Sequence, residues 1–228
     1  MILEKLKTVR ERIAVAAARA DRKPEEVELV AVTKYASLED VRELVRGGVR
    51  QLAESRVQNA IARRQALGDD ARDVRWRFIG HLQRNKVKQA LEMFSDLDSI
   101  DSLRLAQTVQ DRAAALGRTV PVLLQVKITD KETQSGVAPD ELEELLAKTN
   151  AMPNLRAAGL MVIAPHLEPV EETRPHFREM YKIFQRLFPG TYRTGEGPYL
   201  SMGMSRDYEI AVEEGANLVR IGSSLFEK

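Results

Sequence analysis

Two rhythms of apolar residues alternate along the chain: short uninterrupted runs, and longer stretches with apolar positions three and four residues apart. Leu6, Val9, Ile13 and Ala17 recur at helical spacing, and the helix they predict ends near Pro24, whose ring cannot continue it. Leu29–Val32 is uniformly apolar and too short for an exposed strand, so it reads as a buried parallel one. Ser37 then caps a helix carrying Val41, Leu44 and Val45, with Asp40 at the capping-box position and Gly47-Gly48 beyond its end. The same unit repeats. Val49–Ala53 precedes a helix from about Ser55, Arg77–Ile79 one from about Gln83, and Leu97–Ile100 precedes Leu103–Leu116. Val120–Val126 leads to Pro139–Lys148, Ala158–Val162 to Pro169–Phe188, Tyr199–Ser201 to Ser205–Glu214, and Leu218–Ile221 to a short terminal helix.

Eight strand-helix units at this length predict an α/β fold, a single (β/α)8 TIM barrel over residues 1–228 with an extra N-terminal helix. Right-handed crossovers place every helix outside a closed parallel sheet. An open doubly wound sheet is the alternative, but no G-x-G-x-x-G turn follows the first strand. The polar stretches Thr129–Ala138 and Thr191–Pro198 read as mobile loops.

Composition narrows the partners. The 35 basic and 34 acidic side chains leave a net charge of +1, so no global field draws the chain onto nucleic acid or anionic lipid, and small molecules are the expected ligands. Cysteine is absent, which excludes disulfides and thiolate metal sites and fits a reducing compartment. No stretch approaches the roughly 18 apolar residues of a membrane span, and the N-terminus lacks the apolar core of a secretory signal. The expectation is a soluble cytoplasmic protein with no membrane partner.

In such a barrel the active face lies at the C-terminal ends of the strands, and phosphate commonly sits after strands seven and eight. Those loops are read here as Met202–Ser205 and Gly222–Ser224, with helices starting at Ser205 and near Gly222-Ser223, so that unpaired N–H groups converge on one dianion. Lys34, closing the first strand, offers an amine for an imine with an aldehyde. Together they suggest a pyridoxal phosphate site. Each has a plainer reading: Ser205 as a helix cap, Gly222 as a turn glycine, Lys34 as a solvated strand-end lysine. An imine-forming lysine must spend time as the neutral amine, and Arg220, beside it in a closed barrel, is placed to supply the positive charge that favours this form. Alternatively Arg220 faces the pyridine nitrogen, where a permanently protonated guanidinium weakens the cofactor as an electron sink.

Other chemistry has less support. His81, after Gly80 at a strand end, is read as lining the cavity, and His176 as lying on a helix surface. With His166 they form no metal-ligand spacing such as H-E-x-x-H, and no G-x-S-x-G elbow appears. Six basic residues between Arg72 and Lys88 interleave with Trp76 and Phe78, a pattern that can contact RNA. The aromatics alternate as strand residues do, however, which favours core positions for them, a solvated basic face and no nucleic-acid partner.

Several strings resemble, in order and spacing over essentially the whole chain, the pyridoxal phosphate homeostasis protein family. They are Ala31-Val32-Thr33-Lys34, Phe78–Lys86, Ser135-Gly136, Gly159-Leu160-Met161, Ser201–Ser205 with Asp207, and Val219-Arg220-Ile221-Gly222. The resemblance implies a barrel of the alanine-racemase N-terminal type, fold type III among proteins binding pyridoxal 5'-phosphate, with the cofactor as an imine on Lys34. It further implies phosphate contacts from the loop holding Ser201, Gly203, Met204 and Ser205 and from Gly222-Ser223, with Arg220 near the pyridine nitrogen; His81, read from its strand-end position, is added to the expected cofactor contacts. Members are regarded as monomeric cytoplasmic regulators of vitamin B6, without established catalysis, and delivery of the cofactor to apo forms of dependent enzymes is the expected role. A fold type III amino-acid racemase is the alternative. Such racemases add a C-terminal β-domain that supplies the second acid-base group, whereas the barrel here is expected to use all 228 residues. The chain departs from the family pattern at Ser55, where asparagine is frequent, at Arg77, where histidine is usual, and at Glu227, where glycine is common.

Overall fold

The computed structural model of the chain describes residues 1–128, 135–190 and 192–227. Eight strands follow one another: β1 (Glu28–Val32), β2 (Gln51–Glu54), β3 (Arg75–Phe78), β4 (Asp96–Ile100), β5 (Val120–Val126), β6 (Leu155–Val162), β7 (Tyr199–Met204) and β8 (Leu218–Ile221). Each is parallel to its neighbours, and the sheet closes on itself in sequence order as an eight-stranded barrel. Closure is made by β8 on β1, with Val30 opposite Arg220 and Ala31 opposite Ile221. The predicted architecture is therefore the observed one.

The helices between strands are α2 (Leu38–Arg46), α3 (Val57–Leu67), α4 (Val87–Met93), α5 (Leu103–Ala115), α6 (Leu142–Asn150), α7 (Arg174–Leu187) and α8 (Tyr208–Glu213), with α9 (Ser223–Phe226) after β8. The extra helix, α1 (Ile2–Arg19), buries Leu6, Val9, Ile13 and Ala17 and lies against α2, α8 and α9, across the seam where the barrel closes. It ends at Arg19, and Pro24 opens a separate 3-10 turn over Pro24–Glu26. Ser37 caps α2 as expected, its hydroxyl accepting from the Asp40 N–H at 3.1 Å.

Some boundaries move. α3 begins at Val57 and α4 at Val87, the latter behind a 3-10 turn over Arg84–Lys86. β7 runs on to Met204, which pairs with Arg220 across a register shift. Gly203, a strand-breaking signal in the sequence, sits within that irregular strand at φ +89°. Of the polar segments expected to be mobile, positions 129–134 and 191 lie outside the described residues.

Two cores result from the strand period of two. Outward residues such as Trp76, Phe78 and Leu97 pack under the helices, with Phe78 and Phe94 edge-on at 5.1 Å. Inward residues including Val30, Ala53, Leu123, Met161 and Leu218 fill the barrel. The same alternation corrects the basic face expected around Trp76 for two of its six residues, while Arg72, Arg84 and Lys88 are exposed as expected. Because Trp76 and Phe78 point outward, Arg75 and Arg77 point into the barrel. The Arg77 side chain is fully buried, donates to both oxygens of Asp98 at 2.7 and 2.9 Å and to Gln51 at 3.0 Å, and lies 4.9 Å from the Tyr199 ring centre. Burial disfavours its charge, but Asp98 and Asp96 outweigh that and raise its pKa. Arg75 forms a two-pronged pair with Asp96, both bonds 2.6 Å.

A buried pair broken on one side leaves an uncompensated charge, a loss of about 3–5 kcal/mol. Arg77→Ala is expected to lower the unfolding free energy in urea by that amount, and Arg77→Met combined with Asp98→Leu to recover most of it. A loss under about 1 kcal/mol for Arg77→Ala would contradict the pairing.

Candidate cofactor site

A cavity of about 390 Å³ opens at the C-terminal ends of the strands. That volume falls in the range of small-molecule sites. Lys34, Met204, Ser205, Arg220, Gly222 and Ser223 all line it, so six of the nine expected residues share one cavity. Val32, Ile79 and Phe226 contribute apolar surface.

Lys34 enters from a tight turn. The chain leaves β1 at Val32, the Thr33 N–H donates to Ala53 O at 3.1 Å, and the Ala36 N–H returns to Thr33 O at 2.9 Å. This places Lys34 at the cavity, exposed, with Nζ 4.5 Å from the centre of the exposed Tyr35 ring.

Opposite, Ser205 does not begin a helix. Asp207 stands at the N-cap position of α8 and accepts from the Met204 N–H at 2.6 Å. Ser205 instead bridges two loops. Its Oγ accepts from the N–H groups of Gly222 and Ser224, both at 3.1 Å, and its carbonyl accepts from Ser224 Oγ at 3.2 Å. Two backbone donors thus converge on one oxygen beside the cavity. Burial pushes the Asp207 carboxyl up, against the pull of the Met204 N–H and Arg220.

Arg220 is 4% exposed and held by three hydrogen bonds. It donates to Ser201 O and Oγ at 2.9 and 2.7 Å and to Val162 O at 2.9 Å. Desolvation lowers its pKa to about 10, with Asp98 and Asp207 working the other way, so it keeps its charge at neutral pH.

Three expected residues lie elsewhere. Ser201 is a buried β7 residue that holds Arg220, because β7 continues three residues past it. Gly203 serves close packing: a Cβ there would lie 2.6 Å from Ala211 Cβ and 2.9 Å from Tyr208 Cα. His81 is carried off by the loop after β3 and is exposed, 3.5 Å from Asp101 Oδ2 and 3.4 Å from Ser135 Oγ. The histidine that does line the cavity is His166, in the loop after β6. Arg206 contacts both His166 and Glu168 and so ties the loop after β7 to the loop after β6. Both lie in loops that follow barrel strands, a position His81 shares, so the sequence alone does not single them out. Ser55 also lines the cavity. Among the described residues no group of three or more His, Cys, Asp or Glu could hold a metal, and no helix is long and apolar enough to cross a membrane.

The family model described as alanine racemase, N-terminal domain, matches residues 5–227. The chain is 40% identical to the pyridoxal phosphate homeostasis protein of Aquifex aeolicus, covering 98% of this chain and 96% of that one. It is 37% identical to the protein of that name from Escherichia coli K12, covering 99% and 95%. Among solved structures, PipY of Synechococcus elongatus PCC7942 with PLP bound superposes with a TM-score of 0.84 at 34% identity, covering 99% of this chain and all of that one. Alanine racemase of Clostridium difficile 630, at 19% identity and TM-score 0.70, covers 88% of this chain but 52% of its own and shares the fold.

The Gly203 contacts make a direct demand on sequence. Gly203→Ala must hold a side chain at φ +89° and push Ala211 or Tyr208 aside, so it is expected to lose at least about 2 kcal/mol in chemical denaturation. Unchanged stability would show that β7 does not approach α8 in this way.

Proposed function

The chain belongs to the pyridoxal phosphate homeostasis protein family, and on that premise we propose that it binds pyridoxal 5'-phosphate, holds it through Lys34 and passes it to apo forms of dependent enzymes, as a cytoplasmic monomer. One observation carries this reading: the Gly222 and Ser224 N–H groups converge on Ser205 Oγ beside the cavity onto which Lys34 opens. Donors that meet on one oxygen suit a phosphate oxygen, and hydroxyls at Ser205 and Ser223 add adaptable polar partners. The mixed lining suits the rest of the molecule, with Val32 and Ile79 for a heteroaromatic ring and Arg220 as the residue to face its nitrogen. When bound, the cofactor supplies an aldehyde that condenses with a primary amine and releases water.

Within this site the protein groups have separate tasks. Lys34 provides the amine. Ser205, Ser223 and the backbone after β8 anchor the dianion. Arg220, held by Ser201 and Val162 and charged at neutral pH, donates and withholds a proton from the ring nitrogen, which suits storage better than demanding carbanion chemistry. The full-length relatives named for homeostasis support a carrier over a racemase, and the racemase neighbour is a likeness of fold.

Titration with pyridoxal 5'-phosphate is expected to produce a visible absorbance band that Lys34→Ala lacks. Pyridoxal without phosphate should bind at least roughly tenfold more weakly, because the charge-assisted contacts are lost. Loaded protein should restore activity to a cofactor-free dependent enzyme while exchanging the Cα proton of alanine no faster than free cofactor. Equal affinity for the two aldehydes would reject the anchor, and robust amino-acid turnover abolished by Lys34→Ala would replace the carrier with an enzyme.

A further inference from the structure

Taking Lys34 as the cofactor lysine, as proposed above, we infer that Arg63 and Glu54 are its positioning residues, a largely buried ion pair that clamps the turn from which the lysine reaches the cavity. Among the described residues the Lys34 amine makes no hydrogen bond or ion pair and lies 4.5 Å from the centre of the exposed Tyr35 ring, so its aim depends on the backbone beneath it. Beyond the Thr33 N–H bond to Ala53 O, that backbone is held from one side chain. Arg63, on α3, donates through Nη2 to Thr33 O at 2.9 Å and through Nη1 to Ala36 O at 3.2 Å, while its Nε donates to Glu54 Oε1 at 3.1 Å. Carbonyls on both sides of Lys34 therefore end on a single guanidinium. Thr33 completes the clamp, its hydroxyl donating to the same Glu54 oxygen at 2.7 Å.

Burial and charge point to pinning as the role of this pair. The Glu54 side chain is fully buried and that of Arg63 is 15% exposed, yet among the described residues Glu54 Oε2 accepts no hydrogen bond. A buried pair with an unsatisfied oxygen is no better for stability than packed apolar side chains would be. What it provides is a planar fork that reaches two carbonyls and a carboxylate at once, a geometry lysine cannot reproduce. Covalent capture is sensitive to such placement, since a shift of about 1 Å in a reacting group can cost a hundredfold in rate.

The test separates capture from binding. Native protein and Arg63→Lys are mixed with pyridoxal 5'-phosphate, reduced with borohydride at timed intervals, and the label on the Lys34 peptide is quantified by mass. Affinity for pyridoxine 5'-phosphate, which carries an alcohol in place of the aldehyde, is measured in parallel. Arg63→Lys should slow labelling of Lys34 by roughly tenfold or more and leave pyridoxine 5'-phosphate affinity within about twofold, because the phosphate anchor is untouched. Arg64→Lys is the control, as Arg64 donates to Met93 O, away from the turn, and should label at the native rate. Thr33→Val removes one arm of the clamp with little change of shape and should slow labelling in the same direction, which keeps the test available if Arg63→Lys does not fold. Native labelling rates in these clamp variants overturn the positioning role alone, as does an equal loss for both ligands, which marks a merely structural residue. A native chain whose Lys34 is never labelled overturns the cofactor reading together with the clamp.

Discussion

The pairing of the last strand with the first is the constraint on which the site depends. β1 and β8 are almost two hundred positions apart in the chain, yet parallel pairing sets Ala31 beside Ile221, and the residues just beyond them, Lys34 and Gly222-Ser223, then reach one cavity. An open sheet of the same strands would leave those edges on opposite sides. Closure is reinforced from outside by α1, which covers the seam through α2, α8 and α9. The N-terminal helix is thus part of what brings the two halves of the site together, although it contributes none of the cavity's lining residues.

Closure also creates an interior that must accept charge. Arg77 and Asp98 occupy the barrel with Gln51 and Tyr199 around them, and Arg220 lies close enough to both Arg77 and Asp98 to feel their charges. Each guanidinium is held by hydrogen bonds, Arg77 mainly to a carboxylate and Arg220 to Ser201 and a strand carbonyl. Satisfied in this way, charged side chains at the barrel centre stay in fixed orientation, and Arg220 presents a rigid donor to the cavity. Arg77 adds a permanent positive charge near Arg220 and contributes, after desolvation, to lowering its pKa.

Much of this was legible in the chain, for identifiable reasons. Strand and helix periods are long-range averages, so eight units, the closed barrel and the capping role of Ser37 survive small boundary errors. The misreadings came where one residue carries two meanings. Gly203 is a strand residue under a helix, so β7 runs past its expected end at Ser201 and the Ser201 side chain lies in the barrel interior, not at the expected phosphate loop. Ser205 has the composition of a helix cap, yet its hydroxyl bridges to the loop after β8. Arg75 and Arg77 resemble surface residues by type, while the parity of Trp76 and Phe78 already places them inside. His81 and His166 both follow strands, and only loop geometry distinguishes the one that lines the cavity. The Arg63 clamp had no sequence signal, because contacts between a helix arginine and carbonyls 27 and 30 residues away are visible only in three dimensions.

The most direct test of the account is a crystal structure of the protein grown with pyridoxal 5'-phosphate. Continuous density from Lys34 Nζ into the ligand, with the phosphate hydrogen-bonded to the Gly222 and Ser224 N–H groups and Ser205 Oγ released from them, is the predicted result. Ligand density at another lysine, or a phosphate away from the loops after β7 and β8, would contradict it.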